Sequence, residues 1–413
     1  MIQILFWIII GIIIFDYLLE KTLDYLNYRN MQETIPPKLK GIYDEEKYRT
    51  SQKYEKVNVG FSMITSTFSF ILILVILFTN GFAILDAGVS NITQNEYIRA
   101  LLFFGILGVG MDLISLPFQI YGTFVIEEKF GFNKTTPITF IVDKLKSWLL
   151  GAILGGGILL FIMWAWIETG NWFWLIVMGG LSIFMIFMTM YYSRVIVPLF
   201  NKQTPLEEGT LRAALNSFSE KAGFKIDNIF VIDGSKRSTK ANAYFSGLGQ
   251  KKRIVLYDTL ISDLSEDEIV AVLAHEVGHN KLHHVIIGLF ISLIQSALMI
   301  WLLSLAISQP ELSLALGASN PSFYMGLVAF GLLFSPISMI TGIFSNIISR
   351  RHEYQADQFA TNYGMGGYLI SGLIKLSVAN LSNLTPHWLY VFFNYSHPTL
   401  LQRKDAIMSE KMS

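Results

Sequence analysis

Seven apolar runs, each near the length needed to cross a bilayer, constrain this chain more than any other feature. They are Ile2–Leu19, Phe61–Ile84, Ala100–Phe118, Trp148–Ile167, Trp172–Tyr192, Val285–Ile307 and Tyr324–Ile347. A spanning helix needs about 20 apolar residues. Inside lipid, only helices and closed barrels satisfy their own backbone groups. Core helices of a water-soluble protein are neither this long nor this many, and 52% of the 413 residues are hydrophobic. The first run has no basic residues ahead of it and no small-residue cleavage site, so it reads as a span and not as a removable signal.

Charge assigns the sides. All but Arg99 of the 31 lysines and arginines fall after the first, third, fifth and seventh runs. Cytoplasmic loops carry such an excess. This predicts an N-terminus outside and a C-terminus inside. Trp164, Trp166, Trp172 and Trp174 bracket the short loop after the fourth run, as an interfacial aromatic belt would. Net charge is zero with no separate basic tract, which gives nucleic-acid binding no support. There is no cysteine, so disulfides, Cys-ligated metal and thiol catalysis are excluded.

All seven histidines lie on the predicted cytoplasmic side. Two of them form H-E-x-x-H, from His275 to His279. Residues four apart share a helix face, so both imidazoles can reach one zinc ion. Glu276 projects beside the metal, where it can take a proton from a water. Ser265 to Glu268 reads as a capping box that starts this helix. The motif therefore predicts metal-assisted hydrolysis of a peptide bond. A pair of solvated histidines on an amphipathic helix is the plainer alternative.

The third ligand is not local. His283 is two turns beyond His275, about 12 Å away, which is too far to share an ion. The zincin pattern with a glycine turn and a further histidine does not fit. A second helix can supply a glutamate instead. Glu353 and Asp357 are four apart on one predicted face. Glu353 can be the third ligand, and Asp357 can accept the outer N–H of a ligating histidine.

The chain divides into four parts. Residues 1–193 hold the first five spans with their cytoplasmic loops, and a charged segment at 20–58 contains Pro36-Pro37. Residues 194–282 form a soluble zincin part with the H-E-x-x-H helix. Residues 283–348 hold spans six and seven. Residues 349–413 carry the E-x-x-x-D helix and a segment that completes the active site. Within the soluble part, Thr204-Pro205-Leu206-Glu207 predicts a helix start, with the helix running to about Lys221. Asn228–Ile232, Ala243–Leu248 and Arg253–Tyr257 predict strands, the last two around a turn at Gly249-Gln250. An exposed edge at Asn242-Ala243-Tyr244 could pair with an extended substrate, although a structural hairpin explains the pattern equally well. In the tail, His397 could donate to an oxyanion and Arg403 could hold a carboxylate. By pattern alone, His397-Pro398 is a turn. Asp112, inside the third span, suits either a hydrated cavity lining or a fixed polar contact between helices.

These features together resemble the integral-membrane zinc CAAX prenyl proteases. The resemblance runs nearly end to end. It rests on Pro36-Pro37, Phe124 to Lys129 with Gly131-Phe132-Asn133, Pro198-Leu199-Phe200 before Thr204-Pro205-Leu206, Lys236-Arg237-Ser238-Thr239, Asn242-Ala243-Tyr244, His275–His279, Glu353–Asp357, and Asn394 to Pro398 with Arg403. It implies seven spanning helices around an internal chamber, with a zinc domain at the cytoplasmic end. It implies one Zn2+ per chain on His275, His279 and Glu353, with Glu276 as general base. It also implies His397 and Arg403 as transition-state and substrate contacts, with Asn242 at the substrate strand.

The expected fold class is an all-α polytopic membrane protein of seven transmembrane helices with a cytoplasmic α+β zincin-type metalloprotease domain. The expected function is hydrolysis of membrane-associated or lipidated peptides, including CAAX-type prenylated ones. Partners are then a peptide or protein substrate and membrane lipid. A membrane quality-control protease would use the same chemistry. A non-catalytic scaffold or lipid-binding protein would not need Glu276 beside three ligands.

Overall fold

The computed structural model covers the chain and describes all residues except Glu33, Pro36, Lys38, Leu39, Tyr43, 225–227, 248–252 and 411–413. Pro36 of the first loop and the expected turn at Gly249-Gln250 therefore lie outside the described residues.

Among the described residues, six stretches are helical, long and apolar enough to cross a membrane. The first three are built on α1 (Ile2–Asn30), α2 (Glu45–Phe78) and, after the short α3 (Gly81–Ile92), α4 (Glu96–Tyr121). The fourth stretch, Pro137–Phe200, is 64 residues long. It contains α5 (Pro137–Thr169), a 3-10 turn at Gly170–Trp172, α6 (Phe173–Val195) and the short α7 (Val197–Phe200). The turn forms at Gly170, whose φ of +51° suits a residue without a Cβ.

The compact region follows. It contains β1 (Gln203–Pro205), α8 (Thr210–Lys221), β2 (Ile229–Ile232), β3 (Ala243–Ser246), β4 (Arg253–Tyr257), α9 (Asp258–Asp263) and α10 (Glu266–Lys281). Then come α11 (His284–Ile307), α12 (Pro310–Ala315), α13 (Phe323–Asn362), α14 (Gly366–Ala379), α15 (Trp388–Asn394) and α16 (Leu400–Glu410). The last two long apolar stretches are α11 and α13.

These helices pack as a ring. α1 touches α2, and α3 bridges α2 to α4. α4 packs on α5, α5 on α6, α6 on α11, α11 on α13, and α13 returns to α1. One end of the ring is filled by Ile9, Leu77, Phe82, Phe103, Met163, Leu312 and Tyr324 from seven different helices. The other end carries the sheet and α10. Asp112 sits in the wall as a fixed contact between α4 and α5: it accepts from Lys144 at 3.1 Å, Trp148 at 2.8 Å and Gln119 at 3.0 Å.

The compact region is tied to the ring by charge. Arg237 makes a two-pronged pair with Asp143 at the start of α5, at 2.7 and 2.8 Å. α4 runs on into a π-helical turn, Gly122–Glu127, which ends on Glu127. Glu127 there pairs with Lys240 at 2.9 Å. The Lys134 amide donates to the Arg237 carbonyl and the Thr239 amide to that of Phe132. Two motifs that stood unexplained in the sequence, at 130–134 and 236–239, are thus halves of one joint.

The sheet has the order β1-β2-β4-β3, with β2 and β4 parallel and both outer pairs antiparallel. The expected helix start at Thr204 is wrong. Gln203–Pro205 is instead an edge strand, with Thr204 opposite Val231. An edge tolerates proline because its N–H is not needed by the ladder. The helix begins five residues after Pro205, at Thr210, and ends at Lys221.

α10 lies between this sheet and α13. Its contact with α13 is made at Gly278, where an added Cβ would meet Phe359 Cβ at 3.0 Å and the Ala356 backbone at 3.2 Å. Ala274, Ala356 and Ala360 are fully buried in the same seam. Small residues here let two helix backbones approach closely. Gly278→Val should overpack the seam at a cost of about 1–3 kcal/mol. The expected outcome is a lower unfolding temperature in detergent together with reduced metal content of the purified protein.

Candidate metal centre

The site is built from three helices. α10 starts with the full capping box: the Glu268 amide donates to Ser265 Oγ at 3.4 Å, and the Ser265 amide to Glu268 Oε2 at 2.8 Å. The carboxylate of Glu268 also takes Lys375 at 2.7 Å and Ser371 at 2.6 Å from α14, which fixes the start of α10. Two turns on, His275 and His279 face α13 with their Nε2 atoms 3.1 Å apart. Glu353 Oε2 is 3.4 Å from His275 Nε2, and Oε1 is 3.3 Å from His279 Nε2. These three residues bring their donor atoms within 4.8 Å of one another.

The groups behind the donors are as definite. His275 Nδ1 meets Asp357 Oδ1 at 2.9 Å. Arg403 from α16 grips the same carboxylate with Nε on Oδ2 at 2.8 Å and NH2 on Oδ1 at 2.5 Å. Its NH1 lies 3.4 Å from Glu353 Oε2. His275, Glu353, Asp357 and Arg403 are all buried. Sequence reasoning expected Arg403 to hold a substrate carboxylate, but here its fork is already taken by Asp357. His397 is largely exposed and directs Nε2 at Glu353 Oε1, 3.3 Å away.

Do these residues suit a cation? Glu353 Oε2 is buried without a hydrogen-bond partner. A carboxylate oxygen left so in a dry place normally costs free energy. Burial pulls the His275 imidazole down, yet the Asp357 and Glu353 carboxylates outweigh it and hold it at about 9. The pocket thus favours positive charge between the two nitrogens and Glu353. Two imidazoles and one carboxylate so placed are a donor set that can hold a metal ion.

Glu276 lines a cavity of about 350 Å3 with His279, Val285 and His352. Val285 also lines a neighbouring cavity of about 590 Å3, whose wall includes Asn242, Tyr244, Tyr192 and Tyr257. Asn242 immediately precedes β3, the outer strand on that side of the sheet, and its carbonyl accepts from the Tyr257 amide at 3.1 Å. The structure therefore brings together His275, His279, Glu353, Asp357, Arg403 and His397, with Glu276 on the cavity that His279 also lines and Asn242 in the adjoining cavity. Sequence reasoning missed His284 and Gln355. His284 Nδ1 is 3.0 Å from His279 Nδ1, and its Nε2 is 3.0 Å from Gln355 Oε1. The available signal was the position of Gln355 between Glu353 and Asp357.

Residues 24–202 match the family described as CAAX prenyl protease N-terminal, five membrane helices, and residues 205–411 match peptidase family M48. CAAX prenyl protease 1 of Saccharomyces cerevisiae is 35% identical, over 98% of this chain and 96% of that protein. The homologue from Homo sapiens is 33% identical, over 91% of this chain and 89% of that protein. The crystal structure of S. mikatae Ste24p superimposes with a TM-score of 0.92 at 33% identity, covering 98% of this chain and 99% of that one.

Two variants separate the outer groups. Asp357→Ala should weaken metal binding by roughly 10–100-fold, because the ligand imidazole loses its orienting acceptor. Arg403→Leu leaves the buried Asp357 charge with His275 but without its guanidinium, at a cost of about 3–5 kcal/mol. Removing both as Arg403→Leu with Asp357→Leu should recover part of the unfolding temperature but none of the metal affinity. Chelator competition and thermal unfolding read the two effects separately.

Proposed function

The chain belongs to peptidase family M48, with the membrane module of CAAX prenyl proteases ahead of the peptidase part, and from that membership and the site geometry we propose a membrane-embedded zinc endopeptidase acting on CAAX-prenylated peptides. The observation that carries the reading is the convergence of His275 Nε2, His279 Nε2 and the Glu353 carboxylate, with Glu276 lining one cavity together with His279. Those three residues would hold one Zn2+ per chain. When bound, it supplies Lewis acidity to the scissile carbonyl and acidifies a water.

The chain's own residues do the rest. The Glu276 carboxylate accepts the proton of the attacking water and passes it to the leaving amine nitrogen. His397 directs Nε2 into the site from an exposed position and donates to the oxyanion as it forms. Asp357 orients His275, and Arg403 orients Asp357, in place of the substrate contact the sequence suggested. The adjoining cavity and the outer edge of β3 beside Asn242 lie where an extended peptide can run.

The domain division at about 193, 282 and 348 follows the same reading, and α5 and α6 each make a crossing, which gives seven. The lysine and arginine distribution puts the sheet and metal site in the cytoplasm and the N-terminus outside. Substrate comes from the membrane, and each CH₂ its lipid buries adds about 0.8 kcal/mol of binding.

The decisive experiment offers the purified enzyme one peptide in prenylated and bare forms and identifies products by mass spectrometry. The prenylated form should show the larger kcat/KM. Glu276→Gln should retain metal and fold while losing roughly 10²–10⁴ in rate. Equal turnover of both peptides would reject the lipid-directed reading, and near-normal turnover by Glu276→Gln would reject the mechanism.

Sidedness is checked separately with an impermeant thiol reagent on intact cells. Single cysteines at exposed Gln94 and Asn320 should label, and one at exposed Glu220 should not. The opposite pattern would invert the topology.

A further inference from the structure

The H-E-x-x-H helix ends at Lys281, and the next helix starts only three residues later. Between them His283 adopts φ +60°, a left-handed conformation unusual for a residue with a side chain. The turn reverses what the helical period would give: His284, and not His283, comes back against His279. The His284 side chain is buried. Its ring stacks on His352 with centroids 3.9 Å apart and planes 6° apart, which fixes its plane.

We infer that His284 is a positioning residue that fixes the tautomer and rotation of His279. This inference rests on His279 being a metal ligand through Nε2. A neutral imidazole that gives its Nε2 lone pair to a metal must carry its proton on Nδ1. The His279 Nδ1–H then points at His284 Nδ1, 3.0 Å away, which must be an acceptor. The proton of His284 is thereby placed on Nε2, where it donates to Gln355 Oε1 at 3.0 Å. The side-chain N–H of His279 and that of His284 then each meet a lone pair. The reverse tautomer of His284 would set two N–H groups against each other. Asp357 serves His275 directly; Gln355, two residues earlier on α13, serves His279 through an intervening ring. One turn of α13 therefore supplies a ligand and the outer support of both histidines.

The test uses shape. The Asn side-chain oxygen can occupy the place of His Nδ1, whereas the Gln amide reaches the place of Nε2. In full-length purified protein, zinc affinity is measured by competition with a chromophoric chelator. His284→Asn should stay near wild type. His284→Gln and His284→Ala should bind zinc roughly 10–100-fold more weakly. From the other end, Gln355→Glu keeps the acceptor and should keep affinity, and Gln355→Leu should lose it to a similar degree. Equal affinities for the Asn and Gln variants at 284, or no difference between Glu and Leu at 355, would overturn the inference while leaving the ligand set intact. Failure of the wild-type protein to bind zinc would instead overturn the ligand set, and the inference with it.

Discussion

The structure depends on α13 being one unbroken helix. Over 40 residues, about 60 Å, it runs from the packed end of the ring to the metal centre. Its first half packs on α1, α11 and α12, and its last turns meet α10, α14 and α16. Glu353 and Asp357 therefore take their positions from the same rod that closes the ring. The close approach at Gly278 then sets the distance between that rod and the two histidines. Asp143–Arg237 and Glu127–Lys240 join the other side of the ring to the sheet, so the compact region cannot rotate about α13 alone.

The second constraint is buried charge. Glu353 and Asp357 sit with His275 in a place from which water is largely removed, and a single guanidinium faces both carboxylates. Isolated charges in such surroundings cost several kcal/mol each. Arg403 offsets one, and a cation between the Nε2 atoms would offset the other. This is why the donor set and the groups behind it are better understood as one electrostatic unit than as ligands with decoration. Loss of any member exposes the remainder to an unfavourable environment.

Much of this was legible in the residues. The capping box at Ser265, the spacing of His275 and His279 and the pair Glu353 and Asp357 all encode local helix geometry, and the α10 and α13 surfaces follow from it. The apolar runs encode lipid exposure directly. What failed depended on partners distant in sequence. Thr204-Pro205 carries a helix-start pattern, but pairing with Val231 and Phe230 wins. Arg403 read as a group for a substrate carboxylate, whereas α16 folds back and sets its guanidinium on Asp357. His284 was invisible because its role arises from one left-handed residue, His283, which no helical period announces. Gly278 could have been read earlier, since a glycine inside a helix is destabilising unless something comes close.

Arg403 is also the most C-terminal residue of the site, behind every span and both ligand helices. Synthesis is vectorial, so the order of the chain is an order in time. A nascent chain that has emerged as far as α13 already holds both imidazoles and Glu353, yet Asp357 still lacks the guanidinium that compensates it. The helices of the ring can enter the membrane and associate during that interval. The peptidase centre matures only when α16 docks, so this hydrolase is assembled from its lipid-facing frame inward and switched on last.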